Sequence, residues 1–263
     1  MIKIKRVSKS FKNSLGEEKQ LFSDLNIEIS QGEFVTIIGS NGAGKTSFMN
    51  LIGGQFETDT GNILLDENDI TKMPEHTRNK WFSRVYQDPC LGTSPSMTIE
   101  ENMSMALKKG SSFGLSLGVK KKNRQFIREV LASLEMGLEN RMEQAVSSLS
   151  GGQRQALSLL MATVSNPRLL MLDEHTAALD PKRAQRILEM TNEIVLKNNM
   201  TTLMITHNLN HALEFGSRLL MFHEGKILLD LDSETKNSLT PHDLMDLFTQ
   251  KTRESLSDAL AFQ

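Results

Sequence analysis

The sequence has one cysteine, no long hydrophobic run and almost no net charge. The single cysteine, Cys90, has no disulfide partner within the chain, so the fold does not depend on an oxidising compartment. We expect Cys90 to be a small buried apolar residue. The longest apolar runs, such as residues 169–172, are far shorter than the ~20 residues that cross a bilayer. Any membrane role therefore requires a partner protein.

The charge balance argues against another class of partner. The formal net charge is -2 and the pI is near 6.3, so the chain lacks the overall basic character that binding to a phosphate backbone demands. We therefore predict no nucleic-acid partner. The basic segment 1–12 leads into polar and acidic residues rather than an apolar stretch, which predicts no signal peptide and a cytoplasmic protein.

The distribution of apolar residues predicts an α/β protein. Alternating apolar positions in residues 2–4 and 25–29, together with residues 61–65, predict an antiparallel opening unit with a polar turn at 13–20. Three runs, 34–38, 169–172 and 203–205, lack this alternation, as expected of parallel strands that are covered on both faces. Each run is followed by residues that can take part in catalysis or ligand binding. This is the carboxyl end of the predicted strand, where open α/β sheets bind their ligands.

The remaining segments are richer in helical patterns. Residues 97–164 predict a helical lobe, interrupted by a Gly/Ser-rich and then basic stretch at 110–124. Its lysines at 120–122 and Arg124 either form a solvated loop or contact acidic lipid headgroups. After Asn208 we predict a helix, a hairpin of 219–222 with 227–231, and a closing helix that has Thr240 as N-cap and Pro241 as its first residue.

The eight residues that directly follow the apolar run 34–38 match the P-loop pattern GxxxxGK[ST] in full. They are Gly39, Ser40, Asn41, Gly42, Ala43, Gly44, Lys45 and Thr46. In this pattern the glycine backbone wraps around phosphates, Lys45 reaches the β- and γ-phosphates, and the Thr46 hydroxyl binds Mg²⁺. The alternative is a glycine-rich turn that matches by chance, but the strand before it and the helix-like segment from Ser47 onward favour an ATP site.

Two carboxylates follow the second buried run. Asp173 at the strand end is suited to hold Mg²⁺, and Glu174 is suited to orient and deprotonate an attacking water. An exposed, solvated pair is the alternative. The position directly after a buried strand, as a P-loop fold requires, favours a catalytic pair.

Residues 149–153, Leu-Ser-Gly-Gly-Gln, precede these carboxylates by some twenty positions and resemble the signature sequence of ATP-binding cassette (ABC) proteins. In that family two chains pair head to tail, and each signature caps the nucleotide of the other chain. The resemblance therefore implies nucleotide contacts from Ser150, Gly151, Gly152 and Gln153. It also implies a homodimer that sandwiches ATP, although a glycine pair at a helix start has a purely structural explanation in isolation.

The other ABC motifs can be placed by the same resemblance. Gln87 resembles the Q-loop glutamine, which senses Mg²⁺ and the attacking water, and Asp180 lies in a segment that resembles the D-loop at the dimer interface. His207 resembles the switch histidine that donates to the γ-phosphate. Phe11 matches the aromatic position that stacks on adenine, with a core phenylalanine as the alternative.

The resemblance implies a fold and a division of the chain. The expected fold is a P-loop NTPase cassette with a RecA-like parallel-sheet core, a small antiparallel β subdomain and a helical subdomain. We place the β subdomain at about 1–30 and 61–70 and the helical subdomain with the signature at about 88–165. The C-terminal helix and tail occupy about 240–263, and the rest forms the ATP-binding core of one domain, 1–263.

The resemblance also implies partners and a location. The chain is expected to act at the cytoplasmic face of the membrane with a permease, and indirectly with an extracytoplasmic substrate-binding protein. The segment 88–105 is expected to dock the permease through a partly exposed apolar groove containing Leu91, Met97, Ile99 and Met103. The alternative is a loop whose apolar residues merely cover the helical lobe.

One departure from the family pattern points to a subgroup. His175 stands where the family usually has proline after Glu174. Together with the sequence at 87–89 and 92–102, this histidine resembles the pattern of bacterial importer ATPases, some of them for tryptophan-type aromatic amino acids. The main alternative is a soluble ABC ATPase that serves an assembly scaffold, as in iron–sulfur cluster biogenesis. The residues after the signature, 153–157, favour a transporter, and Glu174 with His207 argues against a non-hydrolysing sensor.

Overall fold

The computed structural model describes residues 1–12, 16–110 and 121–261, without the side chains of 121, 122 and 254–261. Lys120 and part of the predicted turn at 13–20 lie outside the described residues. The chain divides into two compact units, Met1–Arg78 with Thr201–Gln263, and Asn79–Met200. The subdomain boundaries predicted above stay a prediction.

The strands in chain order are β1 Ile2–Lys12, β2 Glu18–Ile29, β3 Phe34–Gly39, β4 Thr60–Leu65, β5 Asn68–Asp69, β6 Phe82–Val85, β7 Leu169–Asp173, β8 Thr202–Ile205, β9 Arg218–His223 and β10 Lys226–Leu231. The helices are α1 Lys45–Gly53, α2 Glu75–Arg78, α3 Ile99–Leu107, α4 Lys121–Ala132, α5 Gly151–Thr163, α6 Pro181–Lys197, α7 Leu209–Glu214, α8 Ser233–Asn237 and α9 Pro241–Ala261. Among the described residues, no helix is both long and apolar enough to span a membrane.

The first unit contains the predicted antiparallel opening sheet, in the order β2-β1-β4-β5. Ile2 pairs with Ile29 on one side and Leu65 on the other, which aligns the apolar positions of three strands. All three of these side chains are buried. The period-2 pattern of the sequence therefore predicted this sheet because one of its faces is buried and the other is polar.

The same unit contains a second group of strands around β3. This strand runs parallel to both β8 and β9, and β9 forms an antiparallel hairpin with β10. The first five side chains of β3 are buried, as its unbroken apolar run predicts. Helix α9 packs its buried Leu244 into a cluster with Ala212 of α7 and Leu229 of β10.

Thr240 begins α9 as predicted. Its hydroxyl accepts a hydrogen bond from the Asp243 amide (3.2 Å), and the Asp243 carboxylate accepts one from the Thr240 amide (2.8 Å). This reciprocal pair satisfies two amides that the helix itself leaves without partners.

The second unit combines a parallel strand pair with helices. Strand β6 runs beside β7, with Arg84 opposite Met171. Helices α3, α4, α5 and α6 share an apolar core that includes Ile99, Ile127 and Leu157. The helical lobe is confirmed, whereas β6 and α6 are not among the predicted elements; β6 is only four residues long and carries a serine and an arginine within its sequence.

Three sequence-based expectations are wrong. Arg124 was expected in a loop but lies in helix α4, where its guanidinium forms ion pairs with Glu100 and Glu143. Cys90 is exposed rather than buried, because it lies in a short 3-10 turn, Pro89–Leu91, that begins after Asp88. Ile99 and Met103 are completely buried in the helical core instead of lining a partly exposed groove. They face inward because α3 begins at Ile99, so that positions 99 and 103 share one helix face.

Candidate functional site

The phosphate-loop motif joins β3 directly to α1. Gly39 ends the strand, Gly44 caps the helix and Lys45 is its first residue. The Lys45 ammonium donates hydrogen bonds to the backbone oxygens of Gly39 (2.8 Å) and Ser40 (3.0 Å), so the loop folds around it. A cation and the N-terminus of a helix thereby meet at one place, which favours a bound anion such as phosphate.

Two glycines of this loop occupy positions that disfavour any other residue. Gly39 has φ of +147°, and a Cβ there would lie 2.3 Å from the backbone oxygen of Phe222. Gly44 has φ of +102°, and its Cβ would lie 3.2 Å from a ring carbon of Phe22. The glycines of the motif are therefore required by the approach of neighbouring strands as well as by a phosphate.

The turn between β9 and β10 supports the loop, which the sequence did not reveal. The Gly225 amide donates to the Ala43 oxygen at 3.0 Å. A Cβ on Gly225, which has φ of +75°, would lie 1.7 Å from the Leu21 oxygen, so the turn fits closely between β2 and the loop. Gly225 gave no functional signal in the sequence because it reads as an ordinary hairpin glycine.

Part of the phosphate-loop motif is accessible, whereas Ala43, Gly44 and Lys45 are buried. Asn41, Gly42 and Thr46 are exposed, and Ser47 is half-buried on the first turn of α1. These positions leave the backbone and the Thr46 hydroxyl open toward solvent beside the Lys45 ammonium.

His207 lies in the same unit as this loop. It follows β8, is exposed, and lines a cavity of about 290 Å³ together with Gly39 and Ser40. Met245 and Phe248 of α9 line the same cavity. The structure therefore brings the predicted switch histidine to the phosphate loop, and the sequence could not foresee that the last helix contributes a wall.

Phe11 lies near the end of β1, opposite Lys19 of β2, and is not a core residue. Its side chain is 44% exposed, and its ring meets that of Phe56 edge to face, with centroids 5.2 Å apart. The Lys9 ammonium lies 5.2 Å from the centre of the Phe11 ring. An exposed aromatic face beside a cation is suited to stacking with a planar ring such as a nucleobase.

In the second unit, Asp173 is the last residue of β7 and is almost fully buried. Its carboxylate forms an ion pair with the guanidinium of Arg84 on the neighbouring strand β6. The Arg84 guanidinium also lies over the ring of Tyr86, 5.0 Å from its centre. Arg84 was missed in the sequence because a lone arginine carries no recognisable motif.

Glu174, directly after Asp173, is half-buried and has a left-handed backbone conformation with φ of +48°. This conformation costs a non-glycine residue roughly 1–2 kcal/mol and often marks functional positions. The next residue, His175, is buried, with its Nε2 3.3 Å from the Thr191 hydroxyl oxygen of α6. The residue that departs from the family pattern thus has a polar partner in the core, which proline could not provide.

The signature residues begin helix α5 with a capping box. The Ser150 hydroxyl accepts from the Gln153 amide (3.3 Å), and the Gln153 side-chain oxygen accepts from the Ser150 amide (3.2 Å). Gly151 is exposed, and a Cβ on it would meet no atom within 4 Å. Gly152 is buried, and its Cβ would lie 3.3 Å from the Arg183 side chain. The open face at Gly151 lies at the positive end of a 13-residue helix.

Asp180 and Gln87 also lie in this second unit. Asp180 is the N-cap of α6, accepting from the Arg183 amide (3.2 Å) and pairing with the Arg183 guanidinium (3.3 Å). Gln87 is exposed and follows Tyr86, whose backbone oxygen accepts from Gln155 of α5 at 3.4 Å. Gln87 therefore follows a residue whose backbone contacts the signature helix.

The segment 88–105 has two strongly exposed apolar residues. Leu91 is 69% exposed and Met105 is 50% exposed. Asn102 is buried and holds the segment's backbone, donating to the oxygens of Ser94 (3.1 Å) and Thr98 (2.9 Å). This part of the unit therefore presents apolar side chains on an ordered backbone.

Comparisons with known proteins identify relatives over most of the chain. The ABC transporter family model matches residues 22–177. The chain is 46% identical over 248 residues to the tyrosine transport ATP-binding protein of Clostridioides difficile strain R20291, covering 94% of this chain and 98% of the relative. It is 34% identical over 223 residues to the spermidine/putrescine import ATP-binding protein PotA of Haemophilus influenzae, covering 84% of this chain and 56% of that protein.

Solved structures show the same similarity. The ATP-binding cassette MJ0796, captured as a dimer in a post-hydrolysis state with ADP and Pi, matches with a TM-score of 0.75 at 26% identity. The match covers 89% of this chain and 99% of that one. A cassette in its ADP conformation, MJ1267, matches with a TM-score of 0.76 at 22% identity, which supports the shared fold.

Proposed function

The chain belongs to the ABC transporter family and is a P-loop ATPase that binds ATP, and on this basis we propose that it is the ATP-hydrolysing subunit of a bacterial importer. The observation that carries the proposal is the phosphate loop, in which the buried Lys45 at the start of α1 donates to the loop backbone while Asn41 and Gly42 are exposed. Lys45 and the residues Gly39–Thr46 would hold the β- and γ-phosphates, with Ser47 extending the site along α1.

The donor atoms available for a metal suit Mg²⁺. Thr46, Gln87 and Asp173 offer a hydroxyl, an amide oxygen and a carboxylate, and oxygen ligands are those that a small hard cation prefers. We propose that these three residues hold Mg²⁺ together with phosphate oxygens. When bound, Mg²⁺ would supply positive charge that offsets the negative charge of the phosphates.

Glu174 and His207 would perform the proton chemistry. The Glu174 carboxylate would orient a water and accept its proton as the water attacks the γ-phosphate. His207 would donate a hydrogen bond to the γ-phosphate from the cavity that it shares with the phosphate loop.

We propose that two copies sandwich two ATP molecules. Helix α5 starts with Ser150–Gln153, and its open, exposed Gly151 gives a second chain's γ-phosphate access to a helix N-terminus. Phe11 would stack on adenine and Asp180 would contact the partner copy. The dimeric structure of the relative MJ0796 with ADP and Pi supports this arrangement. ATP would close the dimer, and hydrolysis would reopen it.

The permease would dock at 88–105 through Leu91 and Met105, the exposed apolar residues that remain after Ile99 and Met103 are assigned to the core. This would place the chain at the cytoplasmic face of the membrane, with an extracytoplasmic binding protein contributing indirectly. The tyrosine transport relative supports an aromatic amino acid as cargo, in agreement with the tryptophan-type subgroup that the sequence resembles.

Uptake of labelled tyrosine, phenylalanine and tryptophan tests this function. We expect deletion of the gene in its own host to reduce ATP-dependent uptake of at least one of the three, and the wild-type gene but not Lys45→Ala to restore it. Normal aromatic uptake together with loss of iron–sulfur enzyme activity would instead support the assembly-scaffold alternative.

A further inference from the structure

The Arg84 guanidinium forms an ion pair with Asp173, the carboxylate that is proposed to hold the metal. Arg84 lies on β6, and Asp173 is two residues beyond its register partner Met171 on the parallel neighbour β7. Both side chains are largely shielded from water, with exposures of 9% for Arg84 and 13% for Asp173. In this environment the ion pair is weakly screened by water and salt.

The guanidinium is held in place by more than this carboxylate. It lies over the Tyr86 ring, and the backbone oxygen of Tyr86 accepts from Gln155 of the signature helix α5. A planar guanidinium that stacks on an aromatic ring loses little further freedom when it binds a carboxylate. Arg84 is therefore positioned against Asp173 rather than meeting it by chance.

An arginine and Mg²⁺ are both cations that seek the same oxygen atoms. A positive group that neutralises a buried carboxylate reduces the gain from binding a second cation there, as it does for a proton. Removing that positive group leaves a buried negative charge that a metal can compensate.

We propose that Arg84 is a positioning residue that holds the Asp173 carboxylate as its counter-ion and thereby lowers the affinity of this carboxylate for Mg²⁺. The inference rests on the proposed function, because it requires Asp173 to be a ligand of the metal. Its consequence is that Arg84 sets how much Mg²⁺ strengthens nucleotide binding by this chain.

The test compares nucleotide affinity with and without metal in the full-length chain. Isothermal titration calorimetry with the non-hydrolysable analogue AMP-PNP gives one Kd in EDTA and one in Mg²⁺. The ratio of the Kd in EDTA to the Kd in Mg²⁺ measures how much the metal strengthens nucleotide binding. We expect Arg84→Met to increase this ratio by about tenfold, on the order of the effect of one opposite charge in contact with a partly buried carboxylate. Arg84→Lys keeps the positive charge and is expected to stay within about twofold of the wild type.

A purely structural role for Arg84 would alter both affinities together and leave their ratio unchanged. Arg218→Met is the matched control, because Arg218 forms ion pairs with Glu33 and Asp230 but lies at the opposite end of β9 from Phe222, the neighbour of Gly39. It is expected to leave the ratio unchanged. If Arg84→Met does not fold, Arg84→Gln removes the same charge and carries the same expectation.

The possible outcomes separate this inference from the proposed function. A metal effect in the wild type that stays equal or becomes smaller in the neutral Arg84 variants overturns the inference alone. A wild type that binds AMP-PNP equally well in EDTA and Mg²⁺ contradicts the proposed metal site, and the inference fails with it.

Discussion

Arg78 anchors the helix that carries the phosphate loop, and its replacement by methionine should be strongly destabilising. The side chain is 1% exposed and lies at the end of α2. Its guanidinium donates to the backbone oxygens of Leu51 (3.0 Å) and Ile52 (2.7 Å), which belong to the last turn of α1. Two further hydrogen bonds reach the oxygens of Met73 (2.7 Å) and Thr71 (2.9 Å).

The size of the effect follows from these four contacts. Burial lowers the pKa of the Arg78 guanidinium because it disfavours the charged form. The hydrogen bonds offset this burial, and each one from a charged donor contributes about 1.5–3 kcal/mol. The net loss is smaller than the sum of the four bonds, because burial of the charge already costs free energy, methionine restores apolar packing, and the Leu51 oxygen keeps a hydrogen bond from the Gly54 amide (3.2 Å). We therefore expect Arg78→Met to reduce the free energy of unfolding by about 3–5 kcal/mol.

Urea denaturation followed by circular dichroism measures this change. The matched control is Arg128→Met, which replaces an exposed arginine of α4 and should change stability by no more than about 0.5 kcal/mol. Arg78→Lys retains a charge but supplies fewer donors, so it should fall between the wild type and Arg78→Met. A loss below about 1 kcal/mol for Arg78→Met, the level of a typical point substitution, would refute the assigned anchoring role.

Three further predictions concern the loop support, the docking segment and a buried lysine. Gly225→Ala should weaken ATP binding measured by calorimetry, because the new Cβ would collide with the Leu21 oxygen and move the residue 225 amide away from the Ala43 oxygen. The control Gly16→Ala, at a glycine with φ of +81° and open space around it, should not weaken ATP binding. Equal ATP affinities for the two variants would count against loop support. Leu91→Glu should abolish aromatic amino acid uptake without changing ATP affinity. The control Leu196→Glu, at a residue that is 68% exposed and lies outside the segment 88–105, should leave uptake normal. Normal uptake with Leu91→Glu would refute docking at this segment. Burial lowers the pKa of Lys236 to about 8, so between pH 8 and pH 10.5 the unfolded chain binds more protons than the folded chain. Urea unfolding should therefore show the wild type gaining stability relative to Lys236→Met as the pH rises through that window. A loss of relative stability over the same window would contradict the lowered pKa.

The sequence predicted those parts of the site whose chemistry is local. The phosphate loop, the two carboxylates at the end of β7 and the capping residue Ser150 depend on short stretches with a characteristic pattern, so their local structure follows from nearby residues. The opening sheet was predictable for a similar reason, since its alternating residues have one buried face.

The parts that the sequence did not predict depend on contacts between distant segments. Arg84 meets Asp173 across 89 positions, and Arg78 reaches α1 from 26 or 27 positions away. Cys90 was assigned to the core from the usual behaviour of cysteine, but the 3-10 turn after Asp88 exposes it. Residue type and spacing contain no record of which backbone a side chain will meet in the folded chain.

ATP hydrolysis by Glu174→Gln tests the central claim most directly. The amide keeps the shape of the glutamate but cannot accept a proton, so a purified variant should bind ATP with nearly wild-type affinity and hydrolyse it at least ~10²-fold more slowly. Lys45→Ala provides the contrast, because loss of the ammonium should abolish turnover by removing the group that offsets phosphate charge. Slow hydrolysis should also leave Glu174→Gln as an ATP-dependent dimer on size-exclusion chromatography. A Glu174→Gln variant that hydrolyses ATP at the wild-type rate would contradict the account.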